Sequence, residues 1–155
     1  MGDTVRWTTQ EANDLITRHA REEGGLLPAL HALQAAFGHV PRETVPLLAE
    51  AFNLSRADVH GVVSFYHDFR HHPPGRHVLR LCRAESCQAM GADGVAAALR
   101  ARLGVTWGAT SADDLVTLEP AFCLGLCAVS PAALLDGRPL GRIDAGAVLA
   151  ALGAP

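Results

Sequence analysis

The sequence predicts an α+β protein: an N-terminal four-helix bundle over residues 1–75, followed by an α/β domain over residues 76–155. Three observations lead there. Before the Pro73-Pro74-Gly75 break, apolar residues recur at spacings of three and four, the period of helices with one buried face. Beyond it, short apolar runs bounded by Gly, Pro and Asp alternate with such helical stripes, as strands and helices do in an α/β unit. Hydrophobic residues make up 49% of the 155, enough for a packed core in one domain or in a small domain with a helical appendage.

In the first half, Thr8-Thr9-Gln10-Glu11 reads as a capping box, and the helix it opens is expected to run to about Glu23 and stop at Gly24-Gly25. Leu26, Leu30, Leu33 and Phe37 form the stripe of a second helix closing near Gly38. Pro41 suits the first turn of a third, with Val45, Leu48 and Phe52 inward. Ser55 and Asp58 start a fourth whose inner face is Val59, Val62, Val63 and Tyr66. Each stripe is too narrow to be stable alone, so the four are expected to pack together. His67, His71 and His72 lack a cysteine or carboxylate partner and read as a solvated turn.

After Gly75, His77 to Cys82 reads as a strand that delivers Cys82 to its end. Asp93 to Leu103 is a helix with Val95, Leu99 and Leu103 in register, stopped by Gly104. Leu115 to Ala121 is the next strand, with Cys123 just beyond it. Ala132–Leu135 and Pro139–Ile143 flank Asp136-Gly137 as a hairpin, followed by a helix capped by Asp144 and carrying Val148, Leu149 and Leu152.

Composition narrows the function. A net charge of -3 gives no basic field for a phosphate backbone, so nucleic acid is not an expected partner. All 13 basic residues are arginine, from which no function follows. No apolar run approaches the length of a membrane span, and the N-terminal stretch MGDTVRWTTQEAND has no apolar export region; a cytoplasmic protein without direct membrane insertion is expected. There is no G-x-G-x-x-G after a strand and no Walker loop, so neither NAD nor flavin has a recognisable place in this chain.

The chemistry lies in four cysteines, the whole complement of the sequence: Cys82 and Cys87 in LCRAESCQ, Cys123 and Cys127 in FCLGLCAVSP. Four thiolates are the usual ligand set of a [2Fe-2S] cluster, two on each iron. The C-x4-C opening matches plant-type ferredoxins, but the next cysteine follows only after about 35 residues, so the order is not plant-type. Structural zinc takes C-x2-4-C knuckles, usually tight ones, and neither pair is a C-x2-C. A thioredoxin-type redox pair would also need C-x2-C. Disulfides belong to oxidising compartments. A Rieske centre needs two histidine ligands, and all eight histidines lie at or before His77.

CRAESC followed by CLGLCAVSP, with GVVSFYHDF and PPGRHVLRLC upstream, resembles the thioredoxin-like [2Fe-2S] subunits of NADH dehydrogenases and soluble NAD-dependent formate dehydrogenases. The resemblance runs from about Thr9 to the C-terminus; one departure is Ser130, where the family commonly has Ala before the proline. It implies a thioredoxin-like α/β [2Fe-2S] domain after the helices, and the β-α-β then β-β-α order suits such a sheet. Residue by residue it maps the cluster ligands onto Cys82, Cys87, Cys123 and Cys127. It also implies an electron-transfer subunit, without catalysis of its own, beside the FMN of a flavin and NAD binding partner. The CQAMGADGV continuation after Cys87 is more similar to the gamma subunit of molybdenum-dependent formate dehydrogenase, which would add further iron-sulfur and molybdenum subunits as partners, than to the counterpart in NADH:quinone oxidoreductase. That counterpart, or the subunit of an NAD-reducing hydrogenase, is the alternative; a zinc-stabilised interaction module and a free-standing ferredoxin are more distant ones.

Such a cluster would carry a formal charge of about -2, or about -3 when reduced, and backbone N–H groups of the two loops are the natural donors to it. Gly125 would let the backbone approach the sulfurs without a Cβ clash. Arg83 would raise the potential by its charge, or stand solvated. Leu124, Leu126, Ala128 and Val129 would keep water from one side.

Overall fold

The computed structural model describes residues 7–154, so the ends of both predicted domains, residues 1–6 and 155, lie outside the described residues. The chain divides into two compact units, one up to Pro73 and one from Pro74 on.

The first unit holds helices α1 (Thr9–His19), α2 (Leu26–Phe37), α3 (Thr44–Ala51) and α4 (Arg56–Phe65). Their apolar stripes meet in one core around Ile16, Leu30, Leu33, Leu48 and Val59. Thr8 and Glu11 close the expected capping box, as do Ser55 and Asp58 on α4. Gly38, left-handed at φ 77°, ends α2. Three expectations shift. α1 stops at His19, because residues 20–25 turn back under its end so tightly that a Cβ at Gly25 would collide with the His19 carbonyl oxygen. Pro41 precedes α3 rather than entering it: its carbonyl accepts from the Thr44 amide at 3.0 Å and hydroxyl at 2.7 Å, a turn that sets the helix start at Thr44. Tyr66 caps α4 in extended backbone and is exposed.

The second unit contains a four-stranded sheet in the order β2-β1-β3-β4, built from β1 (His77–Cys82), β2 (Val116–Ala121), β3 (Ala132–Leu135) and β4 (Arg138–Gly141). β1 and β2 run parallel, His77 opposite Val116 through Cys82 opposite Ala121. Parallel neighbours need a crossover. Helices α5 (Glu85–Ala89) and α6 (Ala92–Leu103) lie in that connection, and Gly104 ends α6 at φ 60°. β3 pairs antiparallel with β1, and β3 and β4 form a hairpin through Asp136 and Gly137, at φ 51° and 79°. Two successive positive φ angles match a type I′ turn, whose twist suits paired strands. Helix α7 (Ala145–Leu152) starts on Asp144, whose carboxylate accepts from the Ala147 amide at 2.8 Å.

Leu79, Leu118, Leu99 and Val148 are fully buried and bring the sheet, α6 and α7 into one core. Truncating such a leucine to alanine costs about 2–5 kcal/mol. That core anchors the strand that carries Cys82 at its end.

Candidate metal centre

Cys82 is the last residue of β1 and pairs with Ala121, the last of β2. Cys123 follows two residues later, so the parallel register alone brings the two cysteine pairs, about 35 residues apart in sequence, to one end of the sheet. The CRAESC segment is not the plain loop its spacing suggests. Cys87 sits inside α5, a five-residue helix with Glu85 in its first turn, where an acidic group suits the helix dipole. The Gln88 amide closes the helix onto the Ala84 carbonyl at 3.0 Å, and its side chain ties back to the Arg83 carbonyl at 2.7 Å. Cys82 and Cys87 are buried at 3% and 2% exposure, packed with Ala92 and Ala132.

The second pair is built differently. Cys123 holds φ 97°, unusual for a side-chain-bearing residue, and Gly125 holds 74°. Together they curl the CLGLC loop so that the Gly125 amide donates to the Cys123 sulfur at 3.4 Å. Cys127 opens a single 3₁₀ turn, Cys127–Val129. Both cysteines are exposed. Leu124 and Leu126 pack inward against the buried pair, while Phe122 is 79% exposed.

Burial works to raise the Cys82 thiol, but donors from the Ala84 amide, the Cys87 side chain and the Leu124 and Cys123 amides outweigh it and lower its pKa. The converging amides thus favour the thiolate, the form that binds metal. Cys127 is pushed up, first by the charge of Cys123 and a hydrogen bond with it, then by burial, then by the charges of Cys87 and Cys82. Four thiolates that repel one another in this way can all be charged at once only beside a compensating cation.

The residues fit a binuclear cluster. All four cysteines are free of disulfides. They form two pairs, Cys82 with Cys87 and Cys123 with Cys127, as a two-thiolate-per-iron centre uses. His67, His71 and His72 are exposed.

Other expectations about the surroundings change. Gly125 holds left-handed backbone, and its amide lies 3.4 Å from the Cys123 sulfur; among the protein's own atoms a Cβ there would meet nothing within 4 Å. Arg83 is partly exposed but not free: it pairs with Asp93 at 2.9 Å and lies over the Trp107 ring at 5.0 Å. Ala128 is exposed and shields nothing. Ser130, visible in the sequence only as a departure from family habit, is buried, with its hydroxyl 3.5 Å from the Cys87 sulfur. No residue pattern indicates such a contact, because the two lie 43 positions apart.

Comparison with known proteins extends the geometry. A family model described as thioredoxin-like [2Fe-2S] ferredoxin matches residues 12–154. A component of the NADH-quinone oxidoreductase of Pseudomonas aeruginosa is 34% identical over 76% of this chain and 70% of its own length. The HndA component of the NADP-reducing hydrogenase of Solidesulfovibrio fructosivorans is 30% identical over 90% of this chain and 81% of its own. Among solved structures, the NAD+-reducing [NiFe]-hydrogenase in the H2-reduced state aligns with a TM-score of 0.72 at 29% identity. That alignment covers 83% of this chain but only 22% of the hydrogenase polypeptide.

Proposed function

The chain belongs to the thioredoxin-like [2Fe-2S] ferredoxin family, and we propose that it is an electron-transfer subunit of an NAD-linked oxidoreductase, with Cys82, Cys87, Cys123 and Cys127 as the ligands of one [2Fe-2S] cluster. The observation that carries the reading is the placement of both cysteine pairs at one end of the parallel β1–β2 pair, with backbone amides aimed at the Cys82 sulfur. The cluster, when bound, stores and releases one electron at a time.

The chain's own part is to hold four thiolates, donate amide hydrogen bonds to them and exclude water on one side. Leu124 and Leu126 close the inner side. The exposed Cys123 and Cys127 leave the outer side open for an electron partner, and Phe122 and Met90, at 79% and 61% exposure, flank the two cysteine segments as apolar surface for a subunit to cover. The partner in this reading binds FMN and NAD and performs the hydride chemistry, so the isolated chain does not oxidise NADH. In this reading the domain boundary falls near Gly75, with the helical domain before it and the cluster domain after it. No described helix is long and apolar enough to cross a membrane.

Within NAD-linked complexes, the CQAMGADGV stretch favours the gamma subunit of a molybdenum-dependent formate dehydrogenase. The named relatives favour a second reading, the corresponding subunit of an NADH-quinone oxidoreductase or a hydrogenase. Affinity purification from the native cell, with assays of formate plus NAD, NADH plus quinone and hydrogen plus NAD, separates them. Formate-dependent NAD reduction supports the first reading; a quinone-reducing or hydrogen-oxidising complex without it rejects that assignment.

A further inference from the structure

We infer that the Ser130 hydroxyl donates a hydrogen bond to the Cys87 sulfur and holds the reduction potential of the bound cluster above the value an alanine would give there. The inference rests on the reading of Cys87 as a cluster ligand. Ser130 is 8% exposed and Cys87 2%, so water is not available to take either one's place. The Ser130 Oγ has three neighbours: the Cys87 Sγ at 3.5 Å, the Ser86 Oγ at 2.9 Å and the Cys127 carbonyl oxygen at 2.9 Å.

With Cys87 as a thiol, its one proton has two acceptors in reach, the Cys82 sulfur and the Ser130 Oγ, and Ser130 donates to the Cys127 carbonyl. Ligation removes that thiol proton and leaves two acceptors facing each other unless a hydroxyl proton turns between them. The Ser130 proton can turn without orphaning the carbonyl, since the Ser130 amide also donates to it at 3.3 Å. A thiolate is the stronger acceptor of the two. The Ser86 hydroxyl then donates to Ser130 Oγ, and the chain from Ser86 through Ser130 to Cys87 is satisfied at every oxygen and polarised along its length. An added electron makes the sulfur more negative, so the donor stabilises the reduced form more than the oxidised one. The proton stays on Ser130 Oγ in both states.

The test uses the full chain with its cluster, as wild type, Ser130→Ala, Ser130→Thr and Ser86→Ala. Iron and sulfide are measured first, then the potential by redox titration followed by electron paramagnetic resonance. Ser130→Ala is expected to load like wild type while its reduced-to-oxidised ratio at fixed poise falls by about tenfold, which is about 59 mV for one electron. Ser130→Thr, which keeps the hydroxyl, is expected to stay with wild type, and Ser86→Ala to shift the same way by less. A fully loaded Ser130→Ala with the wild-type potential would overturn the inference. If Ser130→Ala fails to hold a cluster, Ser86→Ala decides: a lowered potential supports the hydroxyl chain and an unchanged one overturns it. A wild-type chain that takes up no iron and sulfide would overturn the ligand assignment itself, and the inference with it.

Discussion

Cys82 and Cys87 are buried on a strand end and a short helix, whereas Cys123 and Cys127 stand exposed on a loop shaped by left-handed residues. One pair is held by hydrogen-bonded regular structure anchored in the sheet core; the other relies on φ 97° at Cys123 and 74° at Gly125. The difference separates two tasks. If the four cysteines are the cluster ligands, as proposed, the buried pair would fix where the cluster sits and the exposed pair would leave it accessible to a partner.

Replacing one of the cysteines proposed as ligands breaks this comparison most severely. Cys82→Ser and Cys87→Ser are expected to lose the visible absorption of the cluster entirely, since a buried serine oxygen is a poor ligand for a soft site and no water can substitute. Cys123→Ser and Cys127→Ser, open to solvent, are expected to retain part of it. Equal retention in all four variants would remove the distinction.

Next in size is the loop's backbone. Gly125→Val is expected to lower stability by about 1–2 kcal/mol, the penalty of a side chain in left-handed backbone, and Gly125→Asn by less, because asparagine tolerates that region. Since nothing lies within 4 Å of an added Cβ, a steric account would give both variants no effect. Chemical denaturation of the two variants distinguishes the accounts. Phe122→Ala should leave iron content unchanged and weaken association with the flavin-binding partner proposed above by about tenfold, as truncation of an exposed aromatic anchor does; titration of one protein with the other measures it.

Helix caps, stripes and the Asp136-Gly137 hairpin were legible in the sequence because each is set by neighbours a few residues apart. Thr8 with Glu11 and Ser55 with Asp58 are examples. The cysteine pairs were legible for the same reason. α5 was not, since five residues give no periodicity, and neither was the pairing of Arg83 with Asp93 or the contact of Ser130 with Cys87, which depend on the tertiary fold. At Gly125 the sequence shows a missing Cβ, but the left-handed φ of 74° that also calls for glycine depends on the folded loop.

The smallest effect lies at the opposite end of β1 from Cys82, where Asp136 accepts from the His77 ring at 2.7 Å and the Val78 amide at 2.8 Å. Burial works to raise the Asp136 carboxyl, but the hydrogen bonds from His77 and Val78 and the charges of His77 and Arg138 lower it. A folded pKa below the unfolded one contributes stability above about pH 4. That contribution disappears as pH falls through the folded pKa. The pair is partly exposed, so the gain over Asp136→Asn is expected to be under about 1 kcal/mol at neutral pH. Denaturation of both proteins across about pH 2 to 7, a range chosen to bracket the carboxylate titration, is expected to show the gap closing at the acid end. A gap independent of pH would assign the effect to the turn itself.

The most direct test of the central claim is the ratio of iron and acid-labile sulfide to protein in the anaerobically purified full-length chain. A [2Fe-2S] centre on the four cysteines predicts about two irons and about two sulfides per chain. About one zinc per chain with no sulfide would contradict it.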